Sequence, residues 1–198
     1  MTIASITTTP DDRAVSGFPK IPTRIQADPD GMQMQVLPEV LDRLHVLEGD
    51  LASVHRVCCE AYCSQGKYEE ALVHQRMAVA MDPDEVEYRN QLGFLRYLTG
   101  DDDAAEDFEF VIRKDPTNPE GWFNLAMLRF GQHNFAEAER GFLKAAELNP
   151  NDAEIWNNLG VARFQNGGAA DARVCFENAV RIDPEHADAR ANLSDLSG

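Results

Sequence analysis

Cysteine is scarce. The 198 residues hold four, and three of them, Cys58, Cys59 and Cys63, crowd into one short stretch. The chain therefore has neither the spread framework of a disulfide-stapled domain nor the paired Cys-x-x-Cys spacing of a structural zinc site. Thiols placed this way, with Cys175, are expected to pack as small hydrophobes. Positive charge is also short: 18 Lys and Arg stand against 34 Asp and Glu, a net charge of −16. Phosphate backbones require the opposite sign, so nucleic acid is excluded as a partner. No apolar run approaches the ~20 residues that span a bilayer. Met1 to Pro10 has neither a basic start nor a leader-like apolar stretch. No membrane insertion is expected, and the expected location is cytoplasmic. Catalytic signatures are missing too: there is no Gly-x-Ser-x-Gly elbow, Gly-rich phosphate loop or His-Glu-x-x-His pair. His45, His55, His74, His133 and His186 are scattered with no consistent nucleophile or acid beside them. Asp101-Asp102-Asp103 lacks the ligand order of a calcium loop and reads as a solvated turn. The expectation is a protein that is not an enzyme and takes no cofactor or metal.

What the chain does have is a period. Pro83, Pro116, Pro150 and Pro184 recur at intervals of 33, 34 and 34 residues, and other landmarks keep step. In the two most regular copies Trp122, Leu125, Ala126, Ala138, Phe142, Ala145 and Pro150 return as Trp156, Leu159, Gly160, Ala172, Phe176, Ala179 and Pro184. Such a period marks stacked supersecondary units. Small residues fall where two helices must approach closely, and Trp122, Leu125 and Phe142 are the fillers between them. Each Asp-Pro or Asn-Pro pair stops a helix, because proline donates no hydrogen bond and biases the residue before it out of helix. Glu85, Glu87, Glu120, Glu154 and Asp188 then fall in first turns, where the helix dipole favours negative charge.

These columns resemble the tetratricopeptide repeat, whose ~34-residue signature carries a Trp, a Leu-Gly pair, a Tyr, then Ala, an aromatic and Pro. The resemblance covers residues 51–196. It implies an all-α fold, a right-handed α-solenoid of four helix pairs with N- and C-terminal capping helices. Helices are expected over 51–64, 68–81, 85–98, 102–114, 119–131, 135–148, 153–165 and 169–182, in repeats at about 52–85, 86–118, 119–152 and 153–186. Residues 187–196 repeat the opening of another unit and stop, as a polar capping helix would. Residues 38–48, with Val40, Leu41, Leu44 and Leu47 at helical spacing, are expected to cap the other end of a repeat domain over 37–198. The second copy is one residue short around Gly100 to Asp103. The first has Cys58-Cys59 in place of Leu-Gly and Gln75 in place of the aromatic, and reads as an end unit.

Helical geometry at 100° per residue separates a second face from the Trp, Leu and small-residue columns. In the family this face lines a concave groove, which makes its residues the candidate site: Asn90, Gln91, Phe94 and Tyr97, then Phe123, Asn124, Met127 and Phe130, then Asn157, Asn158, Val161 and Phe164, with Asn192 continuing the row. Gln91, Asn124, Asn158 and Asn192 stand just before each Leu column. Amides carry donors and an acceptor, so such a row suits the backbone of an extended peptide. Tyr97, Phe130 and Phe164 would hold apolar side chains between them. The Asn-Leu-Gly run at 158–160 is similar to the superhelical repeats of O-linked N-acetylglucosamine transferases. The alternative is that these amides tie neighbouring helices together. The Tyr column of the family holds Arg96, Arg129 and Arg163. Either their stems cover apolar surface while Phe130 and Phe164 turn inward, or the guanidinium groups pair with acids such as Asp107, Glu137 or Asp171. Some family members grip a C-terminal carboxylate with a basic clamp. The matching positions here, Arg56, Glu60, Gln91, Glu120 and Asn124, include two acids and argue against that ligand.

Residues 1–36, rich in Thr, Ser, Pro and Asp, are expected to form a disordered tail. Its segment Phe18 to Ile25 combines spaced apolar side chains with Lys20 and Arg24, as a short docking peptide would; a solvated leader is the alternative. The tail carries −1 of the net charge, leaving −15 on the remainder. A basic or apolar protein segment is the expected partner. The resulting expectation is a noncatalytic adaptor for a peptide or helix of another protein, in the manner of a chaperone or assembly factor. The alternatives are a homo-oligomeric scaffold, or an accessory subunit of an enzyme or secretion complex.

Overall fold

The computed structural model describes residues 51–196, and every regular element among them is a helix. In order these are α1 (Leu51–Cys63), α2 (Tyr68–Met81), α3 (Val86–Thr99), α4 (Ala104–Lys114), α5 (Pro119–Gly131), α6 (Phe135–Leu148), α7 (Ala153–Gln165), α8 (Ala169–Ile182) and α9 (Ala187–Asp195). The fold is an all-α solenoid of helix pairs. The expected bounds agree with the observed ones to within two residues, and the expected tail and N-terminal capping helix lie outside the described residues.

Local chemistry sets the helix starts. Asn118 Oδ1 accepts from the N–H groups of Glu120 and Gly121 at 3.0 and 3.1 Å, with Pro119 at the first helical position where its missing N–H costs nothing. Asp152 Oδ1 repeats this for Glu154 and Ile155 at the head of α7. Trp122 Nε1 donates to the Pro116 carbonyl at 3.0 Å, and Trp156 Nε1 to that of Pro150 at 2.9 Å. Trp122 and Trp156 thus latch the inter-repeat turns before α5 and α7 as well as filling space. The turns inside the repeats carry a positive φ at Gly66, Gly100, His133 and Gly167, positions that keep the same 33- to 34-residue step.

The described residues fall into two compact units, 51–107 and 108–196, with the boundary inside α4. In the unit 51–107, α2 packs against α1 and α3. Its core gathers Cys59, Ala71, Leu72, Ala78, Val79, Leu92 and Leu95. Gln75 stands fully buried in the aromatic column, where its Nε2 donates to the Tyr88 carbonyl at 2.8 Å. Asp107, also buried, takes hydrogen bonds from Arg89 at 3.1 Å and Arg96 at 2.7 Å. In the unit 108–196, α5 pairs with α6 and α7 with α8, α6 packs on α7, and α9 covers α8. Phe108, Phe142 and Phe176 are buried in register.

The Tyr column combines the two expected arrangements: Phe130 and Phe164 pack against the core while the guanidinium groups pair with acids. Arg129 bonds Glu109 and Glu137, each at 3.2 Å, and Arg163 reaches Glu139 at 3.2 Å instead of Asp171. Arg163 also lies 3.2 Å from the buried Cys175 thiol.

Candidate functional site

In the unit 51–107 the expected ligand face belongs to α3. Asn90 and Gln91 are buried there, and Phe94 and Tyr97 half-buried. Gln91 Nε2 donates to Glu87 Oε1 at 2.9 Å, one turn back on the same helix. Burial pushes the Tyr97 phenol up, so it stays neutral and able to donate. Arg56 is paired with Glu60 on α1, which removes the cation that a carboxylate clamp would need at that position.

In the unit 108–196 the same face is built by α5, α7 and α9, and it changes character along the way. At α7 it is internal. Asn157 and Asn158 are 3% exposed, and Val161 and Asn192 are 1% exposed. Asn192 Nδ2 donates to Asn157 Oδ1 at 3.0 Å and ties α9 to α7. Asn158 Nδ2 turns back to the Glu154 carbonyl at 3.0 Å and its Oε1 at 2.8 Å. Phe130 and Phe164 lie with Leu193 and Leu196 against Val161, Ala172 and Phe176. The sequence led us to expect these amides and aromatics to line an open face. The structure buries the amides and leaves both rings half-buried against the core, because a buried amide must find a partner: α9 supplies one for Asn157 and the first turn of α7 one for Asn158. The signal for this was present in residues 187–196, which repeat the opening of a unit and so carry another amide, Asn192, to meet the previous one.

α5 is the opposite case. Of its 13 residues only Gly121 and Ala126 are buried, whereas α7 buries eight. Phe123, Asn124 and Met127, from the expected set, are half-buried, and Glu120 is exposed. Phe123 meets Phe142 edge-on, with centroids 5.5 Å apart, and this contact fixes the ring's orientation. Trp122, Leu125 and Leu128 leave further apolar surface partly open around the same helix. A helix apolar all round is normally enclosed. The half-open state of α5 leaves it, like Phe94 and Tyr97 on α3, with surface still to bury.

Other side-chain clusters have a structural explanation. His55 and His74 share a hydrogen bond between their Nδ1 atoms at 3.0 Å, and His74 stacks on Tyr62. Cys59 and Cys175 are buried and Cys58 and Cys63 half-buried, all as free thiols. Burial pushes the Cys58 and Cys175 thiols up, which makes them poor nucleophiles. Among the described residues no group of three or more His, Cys, Asp or Glu side chains could hold a metal ion, and no helix is long and apolar enough to cross a membrane.

Comparison with known proteins agrees with this architecture. Models of the tetratricopeptide repeat match residues 119–152 and 142–174, and a TPR repeat model matches residues 60–100. No curated protein sequence matches. Among solved structures the chain is similar to MamA from Desulfovibrio magneticus RS-1, with 21% identity over 75% of this chain and 85% of that one and a TM-score of 0.69. It is also similar to pilF of Pseudomonas aeruginosa, with 22% identity over 74% and 67% and a TM-score of 0.68. YrrB, described as a TPR protein with an unusual peptide-binding site, shares 18% identity over 78% and 84% at a TM-score of 0.64. At these identities the likeness establishes the fold. The matched models are repeat modules, and the match over 119–152 coincides with the α5–α6 helix pair: residues 60–100 and 119–174 are built of tetratricopeptide repeats.

Proposed function

We propose that the protein is a noncatalytic, cytoplasmic adaptor that binds a segment of another protein on the α5 side of its repeats. The observation that carries this reading is the half-open, apolar α5, where Phe123 and Met127 flank the Asn124 amide and Glu120 heads the helix. Apolar surface concentrated on one element is costly unless a partner covers it. The net charge of −16 favours a cationic partner segment over an acidic one. Its service as a chaperone or assembly factor would follow from what that segment is.

Selection of displayed random peptides on the full chain should enrich apolar sequences with Lys or Arg. Binding of the selected peptides should fall at least tenfold in Asn124→Ala/Met127→Ala, with the helical circular dichroism spectrum unchanged. Equal binding by that variant would remove α5 from the site.

A homo-oligomeric scaffold has its own support. Val73, Met77 and Met81 form a stripe one turn apart along α2, at 56%, 47% and 43% exposure. Light scattering at several concentrations separates the readings. Oligomers that Met77→Lys dissolves would favour the scaffold, and a monomer throughout would exclude it.

A further inference from the structure

The four turns inside the repeats share a backbone shape but not a chemistry. We infer that Asn166 is a modification site: in the folded protein it deamidates through a cyclic imide closed by the Gly167 nitrogen, Glu139 restrains the reaction, and the acid that forms loosens the joint between α6 and α7. The residue before the left-handed position is Gln65, Thr99, Gln132 and Asn166 in successive repeats. The next backbone nitrogen reaches an asparagine amide through a five-membered ring, whereas glutamine requires a six-membered one and threonine has no amide. Asn166-Gly167 is also the one Asn-Gly pair in the sequence. Both residues are exposed, and nothing stands within 4 Å of the place a Gly167 Cβ would occupy, so the attacking nitrogen is open to solvent base.

The reaction needs no co-reactant beyond water. A solvent base takes the Gly167 N–H proton, the nitrogen bonds Asn166 Cγ, and the Cγ–Nδ2 bond breaks to release ammonia. Water then opens the ring at either carbonyl and leaves an aspartyl or isoaspartyl residue. Two hydrogen bonds restrain the resting turn: Gly167 N–H donates to the Phe164 carbonyl at 3.0 Å, and Asn166 Nδ2 donates to Glu139 Oε2 at 2.9 Å. Bonds in an exposed turn open locally at low cost, and the reaction proceeds from that open state. The amide consumed is one that ties two helices. Gln65 Nε2, in the equivalent turn, bonds only the Ala61 carbonyl of its own helix, at 3.1 Å. Asn166 reaches from the end of α7 to α6. A carboxylate in its place stands beside Glu139 and contends for Arg163, which Glu139 holds at 3.2 Å.

The test ages the full folded chain at mildly alkaline pH and reads its tryptic peptides by mass spectrometry against an unaged control. The peptide 164–173 should gain one mass unit with time, while the peptide 57–67, which holds Gln65-Gly66, should not. Glu139→Ala, which frees the Asn166 amide, should convert severalfold faster. Conversion that appears only in urea would overturn modification of the folded protein. Equal rates in wild type and Glu139→Ala would overturn restraint by Glu139. Asn166→Asp stands in for the product: amide exchange in the last turn of α7 should be faster than in wild type, and adding Glu139→Gln should slow it again. Exchange unchanged by Asn166→Asp would overturn the effect on the joint between α6 and α7.

Discussion

Each turn inside a repeat needs a residue in the left-handed region. Gly66, Gly100 and Gly167 supply it at φ of 70°, 74° and 91°, while the third repeat uses His133 at 59°. A side chain in that region costs about 1–2 kcal/mol, and glycine escapes the cost. His133→Gly should therefore raise stability by about 1 kcal/mol, less whatever the edge contact of the imidazole with Phe135 contributes. Thermal unfolding followed by circular dichroism reads the difference, and a lower melting temperature would show that the ring contact outweighs the strain. Gly160 answers a different need. A Cβ there would stand 2.5 Å from Phe176 Cε1, and Phe176 is fully buried with no room to withdraw. Gly160→Ala should cost about 1–3 kcal/mol through overpacking, measured as a lowered denaturation midpoint with unchanged m-value. The Gly160 column was legible in the sequence, because a small residue recurs beside each Leu. The left-handed column was harder to see, since His133 hides among three glycines that a turn would hold anyway.

The helices themselves were almost wholly legible. Proline, capping Asn and Asp, and the apolar spacing act within a few residues, so they place each helix before any tertiary contact forms. The direction in which each helix turns its side chains was less so. Asn157 and Asn158 read as an outward amide pair, but α9 supplies a partner for Asn157 through Asn192, and the first-turn acid of α7 holds Asn158. Asn157→Ala should strand the buried Asn192 amide, whose Oδ1 already lacks a hydrogen bond, at a cost of about 1–3 kcal/mol. The loss should concentrate at the C-terminal end, seen as faster amide exchange across α9 than across α5. Uniform exchange would mean that the pair does not anchor α9. The Tyr column was similarly ambiguous, because an arginine stem and an arginine head favour opposite surroundings. Acids at Asp107, Glu137 and Glu139 decided it, and only the packed helices bring these acids within reach.

One group that the period does not mark should couple the stability of the protein to pH. Burial, and then the neighbouring His55, pull the His74 imidazole below its ordinary value of 6.5. The folded chain then holds fewer protons at this site than the unfolded chain, so the associated stability is complete above the ordinary value and is lost as pH falls through the folded one. The melting temperature of wild type should drop on acidification below about pH 6.5, and His74→Phe, which keeps a ring against Tyr62, should drop less. Identical profiles would move the pH response elsewhere. The fold class, the repeat register and the unusual balance of charge were determined by the sequence by itself, because each follows from residue type and spacing along one chain. Which faces remain available was decided only by the tertiary structure. Burial depends on neighbours about 34 residues away, and so the same amide column is internal at α7 and half-open at α5.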